Sequence, residues 1–336
     1  MNLDELTAHV QRFAAAHVDA PVTARNVGPM EDGHAGLTFG FELVHAGGAV
    51  EAFVMRLAPK GVKRKGNTDV YRQAPLMRAL HAAGLPVPPV RWAGEDEQWF
   101  EVPYVIMERL PGRTLMIWEP HAEFRQGPAF MATLWHQAAE ALARFHRFDW
   151  QTSLAGWEEP VAVLDEIHKW DRILAQSPEP AWLAQGEAVR ELLLRRPPPE
   201  TPIGLIHGDY QPGNVLYDQG RMVAVVDWEL AGIGGQLLDI GWLLTFGDPQ
   251  SWHPTWCPVQ PPPAAELIDI YEQGMGRPMP AIPWYQAFAG YRFGVISCLN
   301  VKLHRRGQRH DPTWERFAPA IPHLFGRAHE LLLEFG

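Results

Sequence analysis

Three oxygen-bearing side chains fall within one short stretch, residues 205–229, in a pattern suited to cation and phosphate chemistry. One apolar run leads to Asp209, a turn-rich stretch leads to Asn214, and a second apolar run, VAVV, leads to Asp227. Mg²⁺ prefers oxygen ligands, and one carboxylate with one amide carbonyl suits a magnesium ion that arrives with its nucleotide. We therefore predict that Asn214 and Asp227 bind Mg²⁺ and that Asp209 accepts the proton of an attacking hydroxyl.

Two predicted strands, residues 203–207 and 222–227, position these side chains. A strand that is buried on both faces fixes its last residue rigidly. Turn residues 210–213 then bring Asn214 back beside the loop that carries Asp209. Each motif alone also fits a turn with a polar cap, but the joint spacing of five and thirteen residues favours a catalytic loop.

That spacing is typical of the kinase catalytic loop and of the strand end that binds its metal. HGDYQPGN and VVDWE resemble the aminoglycoside phosphotransferase-like family of small-molecule kinases, in which HGD replaces the HRD of protein kinases and DW or DWE replaces DFG. The segments ALARFH, VIMERLPG and GGQLLDIGWLL extend the resemblance, which covers roughly residues 33–244. The pattern looks closest to the kinase-like domains associated with acyl-CoA dehydrogenases.

The resemblance implies ATP as the phosphoryl donor, an alcohol group as the acceptor, and a two-lobed, protein-kinase-like α+β fold. Asp239 would then be a buried acid that braces the catalytic loop, and His207 would be a structural residue of that loop. Adenine recognition is expected from backbone groups near Glu108 and Leu110, because the edge where the lobes join presents unpaired N–H and C=O groups.

Hydrophobic periodicity agrees with two lobes. Residues 1–108 read as an N-lobe that binds nucleotide phosphates, with an opening helix at 3–17, strands at 37–44, 50–57 and 102–108, and one inserted helix at 70–83. Residues 109–336 read as a mainly helical C-lobe that carries the catalytic loop, the metal site and the acceptor pocket. Its predicted helices are residues 129–148, 161–175, 181–195, 264–273, 285–304 and 319–335, and only the two strands named above interrupt them.

The predicted phosphate grip of the N-lobe departs from the protein-kinase pattern. Arg56 occupies the place of the strand lysine, and arginine can bind phosphate bidentately. Its partner stays open, because Gln73 stands where a glutamate is expected and the acid Asp69 lies one helical turn earlier. Either of these holds Arg56, or neither does.

A glycine-containing hairpin precedes Arg56 in the sequence. Gly33 and Gly36, followed by Gly40, would let backbone N–H groups approach the phosphates. A hairpin turn without phosphate contacts is the alternative explanation of these glycines.

Composition limits the possible functions. The formal net charge of −10 argues against a nucleic-acid partner, and no apolar run is long enough to span a membrane. Two cysteines and the absence of a signal-like N-terminus indicate a cytoplasmic protein. The fifteen histidines show no four-ligand zinc spacing.

Residues 273–310 contain no Asp or Glu and carry a cluster of cations that we call the basic stretch: Arg277, Arg292, Lys302, Arg305, Arg306 and Arg309. If it lines the acceptor pocket, a small hydroxylated substrate that is neutral or anionic, such as a hydroxy acid or its thioester, is favoured over a polycationic aminoglycoside. The same residues could instead face solvent or cap a helix end.

Two other functions compete with a small-molecule kinase. A nucleotide-binding module without turnover would explain Gln73 and the degenerate hairpin, but it has no need of Asp209 as a base. A protein kinase is disfavoured because HRD, DFG and an APE-type segment are absent from the sequence.

Overall fold

A computed structural model describes residues 2–30, 37–198, 201–256 and 258–335. The chain divides into two compact units. The first unit comprises Met1–Pro111 together with Gln151–Trp157 and Val223–Leu230, and the second comprises Gly112–Trp150, Glu158–Met222 and Ala231–Gly336. The segment that carries Asp227 therefore belongs to the first unit, whereas sequence analysis assigned it to the C-lobe. No helix in the described ranges is long and apolar enough to cross a membrane.

A five-stranded antiparallel sheet forms the centre of the first unit. In spatial order it contains β1 (Val22–Pro29), β2 (Thr38–His45), β3 (Val50–Leu57), β5 (Tyr104–Glu108) and β4 (Val90–Gly94). Three of these strands match the predicted ones, while β1 and β4 were not predicted. Both missed strands lie at the sheet edges.

Two helices accompany this sheet. Helix α1 (Leu3–His17) begins with a capping box, in which Asn2 and Glu5 each accept the backbone N–H of the other. It buries one apolar face that includes Phe13, whose ring meets Trp92 and Tyr104 edge-on. Helix α2 (Gln73–Ala82) follows a short 3₁₀ turn, so the predicted helix at residues 70–83 starts later than expected.

The second unit is mainly helical, as predicted. Its helices are α3 (Pro128–His146), α5 (Val163–Lys169), α6 (Asp171–Leu174), α7 (Pro180–Arg195), α8 (Leu237–Gly247), α9 (Ala264–Met275), α10 (Ile282–Arg305), α11 (Thr313–Phe317) and α12 (Ile321–Glu334), and the short α4 (Trp150–Ser153) begins at its boundary. Helix α8 was not predicted. It lies against α10 so closely that a Cβ at Gly241 would fall 2.4 Å from the carbonyl oxygen of Tyr285.

Short strands in the second unit are more numerous than predicted. The predicted β7 (Ile203–Ile206) pairs antiparallel with β10 (Gly232–Gly235), and β6 (Arg113–Thr114) pairs antiparallel with β8 (Val215–Asp218). The second predicted strand is β9 (Arg221–Val225), which ends before Asp227. The prediction of only two strands in this part of the chain was therefore wrong, because β6, β8 and β10 are too short to show a period in the sequence.

Candidate active site

The loop that follows β7 is anchored to the first turn of α8. The buried carboxylate of Asp239 accepts the backbone N–H of His207 at 2.6 Å and that of Gly208 at 2.9 Å. Gly208 has a φ of +85°, which L side chains rarely adopt, so glycine suits this turn. Two charge-assisted hydrogen bonds thus fix the backbone immediately before Asp209.

Asp239 is itself held by a buried chain of polar groups. The Nε2 atom of His146, on α3, lies 3.3 Å from the Asp239 carboxylate, and its Nδ1 atom lies 2.6 Å from the hydroxyl of Tyr271 on α9. This contact links α3 to α9, and burial raises the pKa of the Tyr271 phenol above its ordinary value. Asp239, which the resemblance assigned as a brace, therefore accepts two backbone donors of the loop and is supported in turn by His146.

The carboxylate of Asp209 is oriented by two donors. Its Oδ1 atom accepts the indole N–H of Trp242 at 2.7 Å, and its Oδ2 atom accepts the amide of Asn214 at 2.9 Å. The same amide donates to the Asp209 carbonyl at 2.9 Å. Because the Asn214 nitrogen faces Asp209, its carbonyl oxygen is the atom that could bind a cation. No role was predicted for Trp242, although it lies within the quoted segment GGQLLDIGWLL.

Asp227 lies in the first unit with a φ of +63°, an uncommon conformation that Asp tolerates better than most residues. Its carboxylate pairs with Nη1 of Arg56, while Nη2 of Arg56 pairs with Glu229. Burial alone would lower the pKa of Arg56, but the charges of Asp227 and Glu229 and their hydrogen bonds outweigh it and hold that pKa above its usual range. The group carries one positive and two negative charges, and this excess negative charge suits a divalent cation.

Neither predicted partner holds Arg56. The side chain of Asp69 instead accepts a hydrogen bond from Arg64 at 3.0 Å. Gln73 is buried, and its amide nitrogen has no hydrogen-bond partner among the described residues. The acids that pair with Arg56 are Asp227 and Glu229, and no role was predicted for Glu229 although it belongs to the quoted motif VVDWE.

Two of the backbone N–H groups near Glu108 already form hydrogen bonds with other parts of the first unit. The N–H of Glu108 donates to Pro89 at 3.0 Å, and the N–H of Arg109 donates to Ala52 at 2.9 Å. Within the described ranges no hydrogen bond engages the N–H of Leu110. Adenine recognition by this edge would therefore use Leu110 rather than the two N–H groups before it. Gly33 and Gly36 lie outside the described residues.

A comparison with known protein families identifies this chain. A profile of the phosphotransferase enzyme family, abbreviated APH, matches residues 31–288. The chain belongs to the phosphotransferase enzyme family. This membership confirms the family predicted from HGDYQPGN and VVDWE and the predicted enzyme class, a phosphotransferase.

The relatives of this chain include members of the acyl-CoA dehydrogenase family. Acyl-CoA dehydrogenase family member 11 of Gallus gallus is 26% identical over 295 residues, which cover 82% of this chain and 36% of that protein. The chain thus spans about a third of this relative's length. The predicted likeness to kinase-like domains of acyl-CoA dehydrogenases is confirmed.

Solved structures of the family confirm the kinase-like α+β fold. A Ralstonia eutropha JMP134 protein assigned as an aminoglycoside phosphotransferase has a TM-score of 0.78, with 21% identity and coverage of 98% of this chain and 99% of its own. The aminoglycoside phosphotransferase APH(4)-Ia, in a ternary complex with ADP and hygromycin B, has a TM-score of 0.61, with 16% identity and coverage of 96% and 98%.

Other pockets and clusters of this phosphotransferase are less informative. A cavity of about 730 Å³ in the second unit is lined by Asp248, Gln286, Arg327 and a proline-rich segment, and it contains none of the predicted site residues. Among the described residues, no group of three or more His, Cys, Asp and Glu side chains could hold a metal ion. A magnesium site would therefore need an amide oxygen and ligands from the nucleotide.

Proposed function

We propose that this protein transfers the γ-phosphoryl group of ATP to a hydroxyl of a small molecule, with Asp209 as the base. The acceptor oxygen attacks the γ-phosphorus, the bond to the bridging oxygen of ADP breaks, and the hydroxyl proton passes to Asp209. The observation that carries the proposal is the fixed orientation of the Asp209 carboxylate between Trp242 and Asn214. A carboxylate held by two donors keeps an acceptor hydroxyl in one position, which lowers the entropic part of the barrier.

Asn214 and Asp227 are the proposed magnesium ligands. Magnesium would neutralise charge that develops on the transferred phosphoryl group. Asn214 offers its carbonyl oxygen because its nitrogen donates to Asp209. Asp227 offers a carboxylate whose orientation is fixed by the ion pair with Arg56.

Arg56 is the proposed phosphate-binding cation of the first unit. A guanidinium has five N–H donors, and its ion pairs with Asp227 and Glu229 leave donors for an oxyanion. Backbone groups near Glu108 and Leu110 are the proposed adenine contacts, and Gly33 and Gly36 are proposed to cover the phosphates.

The proposed acceptor is a hydroxy acid or its thioester rather than an aminoglycoside. Support comes from the basic stretch, which places six cations and no acids between residues 273 and 310. A polycationic aminoglycoside would be repelled by such a segment, whereas an anionic acceptor would be attracted.

Release of ADP tests this function. Wild-type protein, ATP and Mg²⁺ are incubated with a set of hydroxylated carboxylic acids, and the same reactions are run with Asp209→Asn. The exposed Asp269, on α9, provides a matched control in Asp269→Asn. We expect acceptor-dependent turnover in the wild type and the control, and a loss of at least about a hundredfold in Asp209→Asn.

Two results would contradict the proposal. Turnover that survives Asp209→Asn would remove this residue from the mechanism. Thermal stabilisation by ATP without turnover of any acceptor would indicate a nucleotide-binding module instead.

A further inference from the structure

One cation of the basic stretch differs from the others in its surroundings. Arg292, on α10, is only 5% exposed, and its Nε and Nη1 atoms are buried without a hydrogen-bond partner among the described residues. By contrast, Arg305 is exposed and pairs with Glu179 and Glu315. A guanidinium keeps its charge at any ordinary pH, and burying it without an anion is costly.

Two indole rings enclose this guanidinium. Its central carbon lies 5.1 Å from the ring centroid of Trp170 and 5.1 Å from that of Trp242. These cation–π contacts compensate part of the lost hydration. They leave Nε and Nη1 without a hydrogen-bond acceptor among the described residues.

The same Trp242 ring contacts the proposed base. Its indole N–H donates to Oδ1 of Asp209 at 2.7 Å, and its face lies against Arg292. A single indole ring therefore lies between the buried Arg292, for which the described part of the chain provides no anionic partner, and the carboxylate that would accept the acceptor's proton. All of these residues belong to the second unit.

We propose that Arg292 binds the carboxylate of the acceptor while the acceptor's hydroxyl lies at Asp209. A carboxylate can engage two parallel N–H donors of a guanidinium, which supplies the missing partner and fixes the orientation of the acceptor. The acceptor is then a hydroxy carboxylate whose hydroxyl and carboxylate are separated by about the width of the Trp242 indole ring. This inference rests on the proposed function, and it names Arg292 as the residue that selects acceptors with a carboxylate.

The inference is tested with a series of hydroxypentanoates that differ in the carbon carrying the hydroxyl. The kcat/KM of each hydroxypentanoate is compared with that of the corresponding hydroxypentanamide. Conversion of the carboxylate to the amide removes the charge but keeps the size. We expect wild-type kcat/KM to favour the carboxylate by about 100-fold at the preferred hydroxyl position, because a site built for a charged group rejects an analogue that lacks it. The preference should fall below about fivefold in Arg292→Met, mainly through KM.

Two further variants make the comparison decisive. Arg195, at the end of α7 and outside the basic stretch, is exposed, so Arg195→Met is a matched control that should keep the full preference. Arg292→Lys keeps the charge but loses the planar fork, and it should reduce the preference about tenfold. Arg292→Lys also serves if Arg292→Met fails to fold, as judged by its melting temperature.

A binding measurement separates this inference from the proposed function. Pentanoate, which has no hydroxyl, is titrated into the protein without ATP and compared with pentanamide by calorimetry. Pentanoate binding that is present in the wild type and lost in Arg292→Met would support the Arg292 site even if no acceptor turns over. Equal binding of pentanoate and pentanamide by the wild type, or a carboxylate preference unchanged in a folded Arg292→Met, would overturn it.

Discussion

Replacement of Asp239 by asparagine should destabilise the catalytic loop selectively. The carboxylate accepts the N–H groups of His207 and Gly208, and its side chain is 1% exposed. Asparagine keeps one acceptor oxygen but turns an amide N–H₂ group toward the other donor. The change therefore removes a charge-assisted hydrogen bond and leaves a buried donor unsatisfied, which together cost about 3–5 kcal/mol in the free energy of unfolding.

Differential scanning calorimetry measures this cost. With a shift of about 2–4 °C per kcal/mol for a domain of this size, the melting temperature of Asp239→Asn should fall by roughly 10 °C. Asp269→Asn makes the same chemical change at an exposed position of α9 and should leave the melting temperature within about 1 °C. A fall in Asp239→Asn that is no larger than in this control would refute the anchoring role of Asp239.

Three other perturbations give separate expectations. Trp242→Phe keeps the aromatic ring but removes the donor to Asp209, so kcat should fall about 10- to 100-fold with little change in melting temperature; an unchanged kcat would count against the orienting role. Glu229→Gln removes one of two charges that hold buried Arg56 and should lower the free energy of unfolding by about 1–3 kcal/mol in urea titrations, whereas no change would show that Asp227 alone suffices. Burial raises the pKa of Tyr104 to about 12. In the unfolded chain the Tyr104 phenol ionises near pH 10. The stability that the raised pKa contributes to the folded protein is therefore present below about pH 10 and is lost as the pH rises toward 12. Burial also raises the pKa values of five tyrosines in the second unit. Phenolate absorbance should therefore rise together with loss of circular dichroism, and reversible ionisation near pH 10 in a folded protein would contradict this.

Local features of the site were predictable from the sequence. The approach of Asn214 to Asp209 depends on the turn at residues 210–213, whose composition and length are visible in the sequence. Helices α3, α7 and α12 each bury one face, so their apolar residues recur at helical spacing. Helix α8 buries ten of its eleven residues and has no polar face, so it lacks that period and was missed.

Long-range partners were not predictable in the same way. Arg56 pairs with acids 171 and 173 residues away, and no local pattern links a strand residue to a carboxylate at such a separation. The expectation of a partner on the helix came from resemblance, and the replacement of glutamate by Gln73 already showed that this resemblance was incomplete. The orienting role of Trp242 was hidden because a tryptophan in an apolar segment is usually a core residue.

The central claim is that Asp209 takes the proton from an acceptor hydroxyl as the γ-phosphoryl group is transferred. Its most direct test is a single-turnover reaction of excess enzyme with ATP, Mg²⁺ and a hydroxypentanoate, in which phosphorus NMR follows formation of the phosphate monoester. We expect the monoester to form with the wild-type protein and not, on the same timescale, with Asp209→Asn that still binds ATP. Monoester formation at an equal rate in both proteins would contradict it.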